Sequence, residues 1–170
     1  MSEDINSIFR TVQAETLCPF ARSAIITFAR PIAADIPLSE AAQQLHEDFT
    51  AYAKEGIVAA PDGLAVSLHN TVIGDDFESL TSGFNVLYRE LKMLDGFSEE
   101  DIAAEDVEDP DWRLVIAGQR FFSIVFSSLY SPDNPRYIPD ENMTFILDLR
   151  KISQFKPVSR IYPKLFLVFP

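Results

Sequence analysis

Few residues in this chain are equipped for chemistry, and they are scattered. Two histidines, His46 and His69, and one cysteine, Cys18, occur among 170 residues. His46 shares a helical face with Ala42, Phe49, Thr50 and Ala53, at the edge of an apolar stripe. A half-buried imidazole on a helix is a common way to hold a haem iron, but from the residues alone it is more often a boundary histidine with one nitrogen in water. His69 ends a strand-like run in which Leu64, Val66 and Leu68 face one way and Ala65, Ser67 and His69 the other. Two small residues before an imidazole leave space above that face for a flat ligand or, more commonly, for a closely packed helix. Cys18 sits in Leu17-Cys18-Pro19-Phe20, four residues before Arg22. A thiolate favoured by Arg22 could react or bind haem, but a lone cysteine between Leu and Pro is first a small buried hydrophobe. Arg136 lies in a rigid Ser131-Pro132-Asp133-Asn134-Pro135-Arg136-Tyr137 loop. Its guanidinium could clamp a substrate carboxylate or tie the loop to an acidic segment, and the sequence favours neither.

Several common chemistries leave no trace. Six glycines form neither a dinucleotide-binding fingerprint nor a P-loop. His46-Glu47-Asp48-Phe49-Thr50 opens like a zincin helix, but Thr50 stands where the second histidine would be. Two His and one Cys, widely separated, have no zinc-site spacing, and no G-x-S-x-G elbow is present.

The elements that must position these residues follow from composition and periodicity. At 47% apolar residues with 14 Phe, the chain can bury a sizeable core as one domain over residues 1–170. Apolar runs break well short of a membrane span, and the acidic N-terminus predicts no signal peptide. A single cysteine fits a reducing compartment, so the expected location is cytoplasmic. The net charge is −12, and nine acids with no base fall between Leu94 and Asp111. Such a balance repels phosphate backbones and anionic lipid, which argues against nucleic acid and membrane as partners.

Residues 3–13 read as a helix with Ile5, Ile8, Phe9 and Val12 on one stripe, and residues 21–29 as a strand. Ser39 is placed to cap a helix running to about residue 55, and Gly56 suits its end. Residues 64–69 form a second strand, and Asp75 or Asp76 opens a helix burying Phe77, Leu80, Phe84, Leu87, Tyr88 and Leu91. Residues 113–116 and 120–126 read as a hairpin turning on Ala117-Gly118-Gln119. A loop over 131–142 leads to a strong strand at 143–149, and 152–155 suit a helical turn. The order α-β-α-β-α-β-β-β predicts an α/β (α+β) domain with a mixed, partly antiparallel sheet of about five strands. Two βαβ-like steps would supply parallel neighbours, and the hairpin antiparallel ones.

These blocks carry a resemblance. Cys18-Pro19-Phe20-Ala21 before a strand is one. The leucine-rich helix from Phe77 to Leu94, followed by an acidic stretch ending in Asp109-Pro110, is another. Gly118-Gln119-Arg120-Phe121-Phe122 with its Pro- and Arg-containing loop is the third. Together, over roughly residues 16–155, the chain resembles the YqcI/YcgG-like family. The resemblance implies an α/β domain and, in the characterised branch, a haem b that activates dioxygen to hydroxylate a nitrogen of arginine-like guanidino compounds. Members often carry a histidine after the last strand, and residues 146–155 have none here. His46 and His69 are then the imidazoles left for an axial ligand, with His46 expected because the helix can hold it against Phe49. Arg22 or Arg136 would take an α-carboxylate, and acids a guanidinium.

Three functions follow as expectations. The first is a haem-dependent monooxygenase, an N-oxygenase acting on a small amino or guanidino compound. The second is a non-catalytic small-molecule or haem-binding relative. The third is an interaction module, possible through the acidic segment and the apolar Leu165-Phe166-Leu167-Val168-Phe169 stretch. That stretch is expected to add a strand to the domain's own sheet or, failing that, to meet a second copy in a homo-oligomer.

Overall fold

In the computed structural model, residues 5–15, 22–55, 61–105 and 112–149 are described. Helix α1 (Ile5–Glu15) is followed by β1 (Ile26–Phe28), α2 (Leu38–Lys54) and β2 (Gly63–His69). Two short helices, α3 (Asn70–Ile73) and α5 (Glu99–Ala103), flank the long α4 (Phe77–Leu94). Strands β3 (Leu114–Ile116), β4 (Gln119–Ser127) and β5 (Met143–Leu149) follow.

The strands form one five-stranded sheet in the order β1-β2-β5-β4-β3. β1 and β2 are parallel, joined by the α2 crossover, and every other pairing is antiparallel. The second expected parallel step does not occur, because β5 takes the place beside β2 and sends β3 to the far edge. A nearly continuous apolar run from Met143 to Leu149 suits a strand in the middle of a sheet.

The period-two alternation of β2 divides the core as expected. Leu64, Val66 and Leu68 pack with Ala42, Leu45 and Phe49 of α2, Leu80, Phe84 and Leu87 of α4, and Phe121 and Val125 of β4. Ala65 faces the other way, into a cluster with Ile8 and Phe9 of α1, Ile26, Ile138 and Met143. The space above the small residues therefore holds a helix. Phe9 meets Phe28 and Phe126 edge-on, with ring centroids 5.9 and 5.8 Å away.

Three local expectations need correction. The first strand is only three residues long, because Gln13 Nε2 donates to Ala24 O (2.8 Å) and Arg22 Nε to Ala14 O (3.1 Å). Residues 22–24 thus bond to the end of α1 and leave the sheet edge alone. Ser39 lies inside α2, whose N-cap is Pro37 at φ −60°, ψ 148°, without a side-chain cap bond. The hairpin turn has two residues, Ala117 (φ 50°) and Gly118 (φ 71°), with Gln119 already paired to Ile116. Positive φ at both turn positions matches the right-handed strand twist. Asp76 is the N-cap of α4 and shares a capping box with Ser79. Gly56, Cys18, the stretch 152–155 and the apolar stretch 165–169 lie outside the described residues.

Candidate functional site

The two imidazoles lie on opposite faces of the sheet. His46 is carried by α2, which covers the Leu64–Val66–Leu68 face, whereas His69 alternates with Ala65 and Ser67 on the other. One ligand cannot engage both across the packed strands.

His46 Nε2 lies 3.2 Å from Asp95 Oδ1, and its side chain is 22% exposed. Both Asp95 oxygens also accept from Ala117 N, at 2.9 and 3.0 Å. Asp95 is the C-cap of α4, so this cluster joins α2, the end of α4 and the β3–β4 turn. It also steadies the left-handed backbone at Ala117, a conformation disfavoured for a residue with a Cβ.

His69 ends β2 and is the N-cap of α3. Its Nδ1 lies 2.8 Å from Thr71 Oγ1 and 3.3 Å from Thr71 N. Thr71 Oγ1 in turn donates to Ala34 O at 2.5 Å. Ala34 belongs to the loop after β1, which Arg30 anchors to α2. Arg30 Nε bonds Asp48 (2.6 Å) and another guanidinium nitrogen bonds Glu47 (2.8 Å), and these carboxylates hold the Arg30 pKa above its ordinary value. His69 Nε2 makes no hydrogen bond among the described residues.

A buried polar cluster floors the same end of the sheet. Thr144 Oγ1 donates to Asn70 Oδ1 (3.0 Å) and lies 3.4 Å from Ser127 Oγ. Asn70 Nδ2 donates to Glu141 O (2.8 Å), fixing the loop that enters β5. Arg136 is buried, and its backbone oxygen accepts from Ser127 N at 3.0 Å. Because Ser127, Thr144 and Leu68 are neighbours in register, Arg136 and His69 share the end of the sheet where β2 and β4 finish. Arg22 lies on the side from which β1 starts, bonded to α1, and is separate from this group.

Asn70, Thr71, Ser127 and Thr144 were not singled out by sequence reasoning. The available signal was the polar triplet His69-Asn70-Thr71 ending an apolar strand. Among the described residues no group of three or more His, Cys, Asp or Glu is placed to hold a metal ion, and no helix is long and apolar enough to cross a membrane.

The described part of the acidic segment is tied to α4. Arg89 bonds Glu99, and Lys92, only 2% exposed, pairs with Glu105. Trp112 Nε1 also donates to Glu105 (2.8 Å), while Lys92 Nζ lies 5.0 Å from the Phe97 ring centre and 5.9 Å from that of Trp112.

No protein-family model matches the chain, and no curated protein and no solved structure matches it.

Proposed function

We propose that this chain is a haem-dependent N-oxygenase-like protein acting on a small amino or guanidino compound, with its site where β2 and β4 end. The resemblance to the YqcI/YcgG-like family supplies the class. One observation supports a site here: His69 has Nδ1 anchored and Nε2 unengaged among the described residues. An anchored imidazole with one nitrogen open is the usual arrangement of a metal-ligating histidine.

His46 fits a haem poorly. With Nε2 on Asp95 Oδ1 at 3.2 Å, only Nδ1 of His46 would remain to hold a metal. His69 Nε2 has no hydrogen bond among the described residues, so the iron-ligating role would pass from the helix to the strand. Cys18 lies outside the described residues and has no part in this reading. Haem, when bound, would supply the dioxygen chemistry. The chain would contribute the Nε2 donor, the anchoring hydrogen bond that orients the ring, and Arg136 near the same end to orient a substrate carboxylate. The proposed compartment is the cytoplasm, with a small molecule as partner.

The second reading is a non-catalytic small-molecule- or haem-binding relative that kept the fold and lost the reaction. A non-catalytic small-molecule-binding relative needs no metal at all. Hemin titration of the purified protein separates the two. The enzyme reading expects an intense Soret band near one haem per chain, lost in His69→Ala and kept in His46→Ala. A protein that stays colourless with added hemin refutes it and leaves the non-catalytic relative.

A further inference from the structure

We infer that Thr71 is a positioning residue that fixes the tautomer of His69, leaving the Nε2 lone pair as the electron-pair donor of this site. Its use toward iron rests on the proposed function, but the inference itself does not.

The argument is a count of protons. Thr71 Oγ1 has a single hydrogen and lies within bonding distance of two groups, Ala34 O at 2.5 Å and His69 Nδ1 at 2.8 Å. A carbonyl oxygen cannot donate, so two oxygens this close require the hydroxyl proton between them. Thr71 Oγ1 can then only accept from His69, which puts a proton on Nδ1. A rival assignment has Nδ1 bare, accepting from Thr71 N as a helix cap. That contact is the longest of the three at 3.3 Å, and with the hydroxyl proton directed to Ala34 O it would leave lone pairs facing each other across the 2.8 Å contact between Nδ1 and Oγ1. The chain Nδ1–H to Thr71 Oγ1–H to Ala34 O satisfies both short contacts.

With Nδ1 protonated, a neutral His69 carries its lone pair on Nε2, the nitrogen without a hydrogen bond among the described residues. The relay begins on β2 and ends on the loop after β1, which Arg30 holds to α2 through Asp48 and Glu47. The donor is therefore oriented by three separate elements. A histidine serving only to cap the four residues of α3 would need the opposite tautomer.

The test is nitrogen-15 NMR of the two imidazoles in haem-free protein at about pH 8, where an ordinary histidine is neutral. His69→Gln identifies the His69 signals. The expected pattern is Nδ1–H for His69 in the wild type and in Thr71→Ser, reverting to mostly Nε2–H in Thr71→Val. An Nε2–H pattern in the wild type, or an Nδ1–H pattern that survives Thr71→Val, overturns the inference. Circular dichroism of each variant shows whether it has folded, and Thr71→Ser restores the hydroxyl if Thr71→Val does not fold. Because no haem is present, the result is independent of the Soret titration.

Discussion

Replacing Gly83 by alanine should destabilise this protein, although the same change in an ordinary helix interior helps. Gly83 lies within α4, where alanine would gain about 1 kcal/mol in helix propensity. A Cβ built there would meet Ile73 O at 1.9 Å and Ile73 C at 2.9 Å. Favourable carbon–oxygen contacts begin at roughly 3.3 Å, so about 1.4 Å must be found by moving α3 away from α4. The obstacle is backbone, which cannot swing aside like a side chain. Ile73, buried between the helices beside Leu80 and Phe84, would lose contact as the gap opened. Overpacking of this kind costs about 1–3 kcal/mol, and backbone against backbone belongs at the upper end. After the propensity gain, a net loss of about 2 kcal/mol remains, or about 4–8 °C in Tm for a chain of this size. Urea unfolding followed by circular dichroism measures it, with Asn85→Ala as control. Asn85 is exposed on the same helix, and its replacement should stabilise by a few tenths. If Gly83→Ala raises the urea midpoint as Asn85→Ala does, the helices are not in the close contact described.

The Lys92–Glu105 pair should respond asymmetrically. Glu105→Ala leaves a buried ammonium and the Trp112 N–H without their acceptor and should cost about 3–5 kcal/mol. Lys92→Met with Glu105→Gln should lie close to the wild type by urea unfolding, and equal losses in both proteins would refute the burial argument. Asp76 accepts from Ser79 N and Oγ, and these bonds hold its carboxyl below the usual range. A lowered folded-state pKa means that its contribution is present above the ordinary carboxylate range and fades as pH falls through the lowered value. Asp76→Asn should therefore lessen the loss of Tm on acidification, and identical acid profiles would remove the cap from the account.

The legible parts of the fold were those encoded locally. The Leu64–His69 alternation, the stripe from Leu80 to Leu91 and the Ala117-Gly118 turn each carry their period or backbone signal in adjacent residues. α3, at four residues, is too short for a period to show. β1 was overestimated because Gln13 and Arg22 draw residues 22–24 toward α1, a competition invisible in a strand-like run. Ser39 is a good cap by type, yet Pro37, with extended backbone at φ −60° and ψ 148°, takes the N-cap position and Leu38 is the first helical residue. At the site, both histidines were visible but not their relative value. What separates them is the His46–Asp95 contact, spanning 49 residues, and the Thr71–Ala34 bond, spanning 37. Neither pairing has a signature in one sequence.

The position of β5 has a consequence for synthesis. Among the described strands, the last to be made is the one that sits between β2 and β4. As the chain leaves the ribosome, β1–α2–β2 and the β3–β4 hairpin can each form, but each then shows an unpaired inner edge. At about 5–20 residues per second, the delay between completing β2 and completing β5 is several seconds. During that time two apolar half-sheets carry edges complementary to β5 and to one another's copies. A nascent chain stalled just before Met143 would be the species most in need of a chaperone. Joining a strand to both halves at once makes the final step a single cooperative closure, one that draws the His69 end of β2 and the Ser127 end of β4 together when Thr144 arrives.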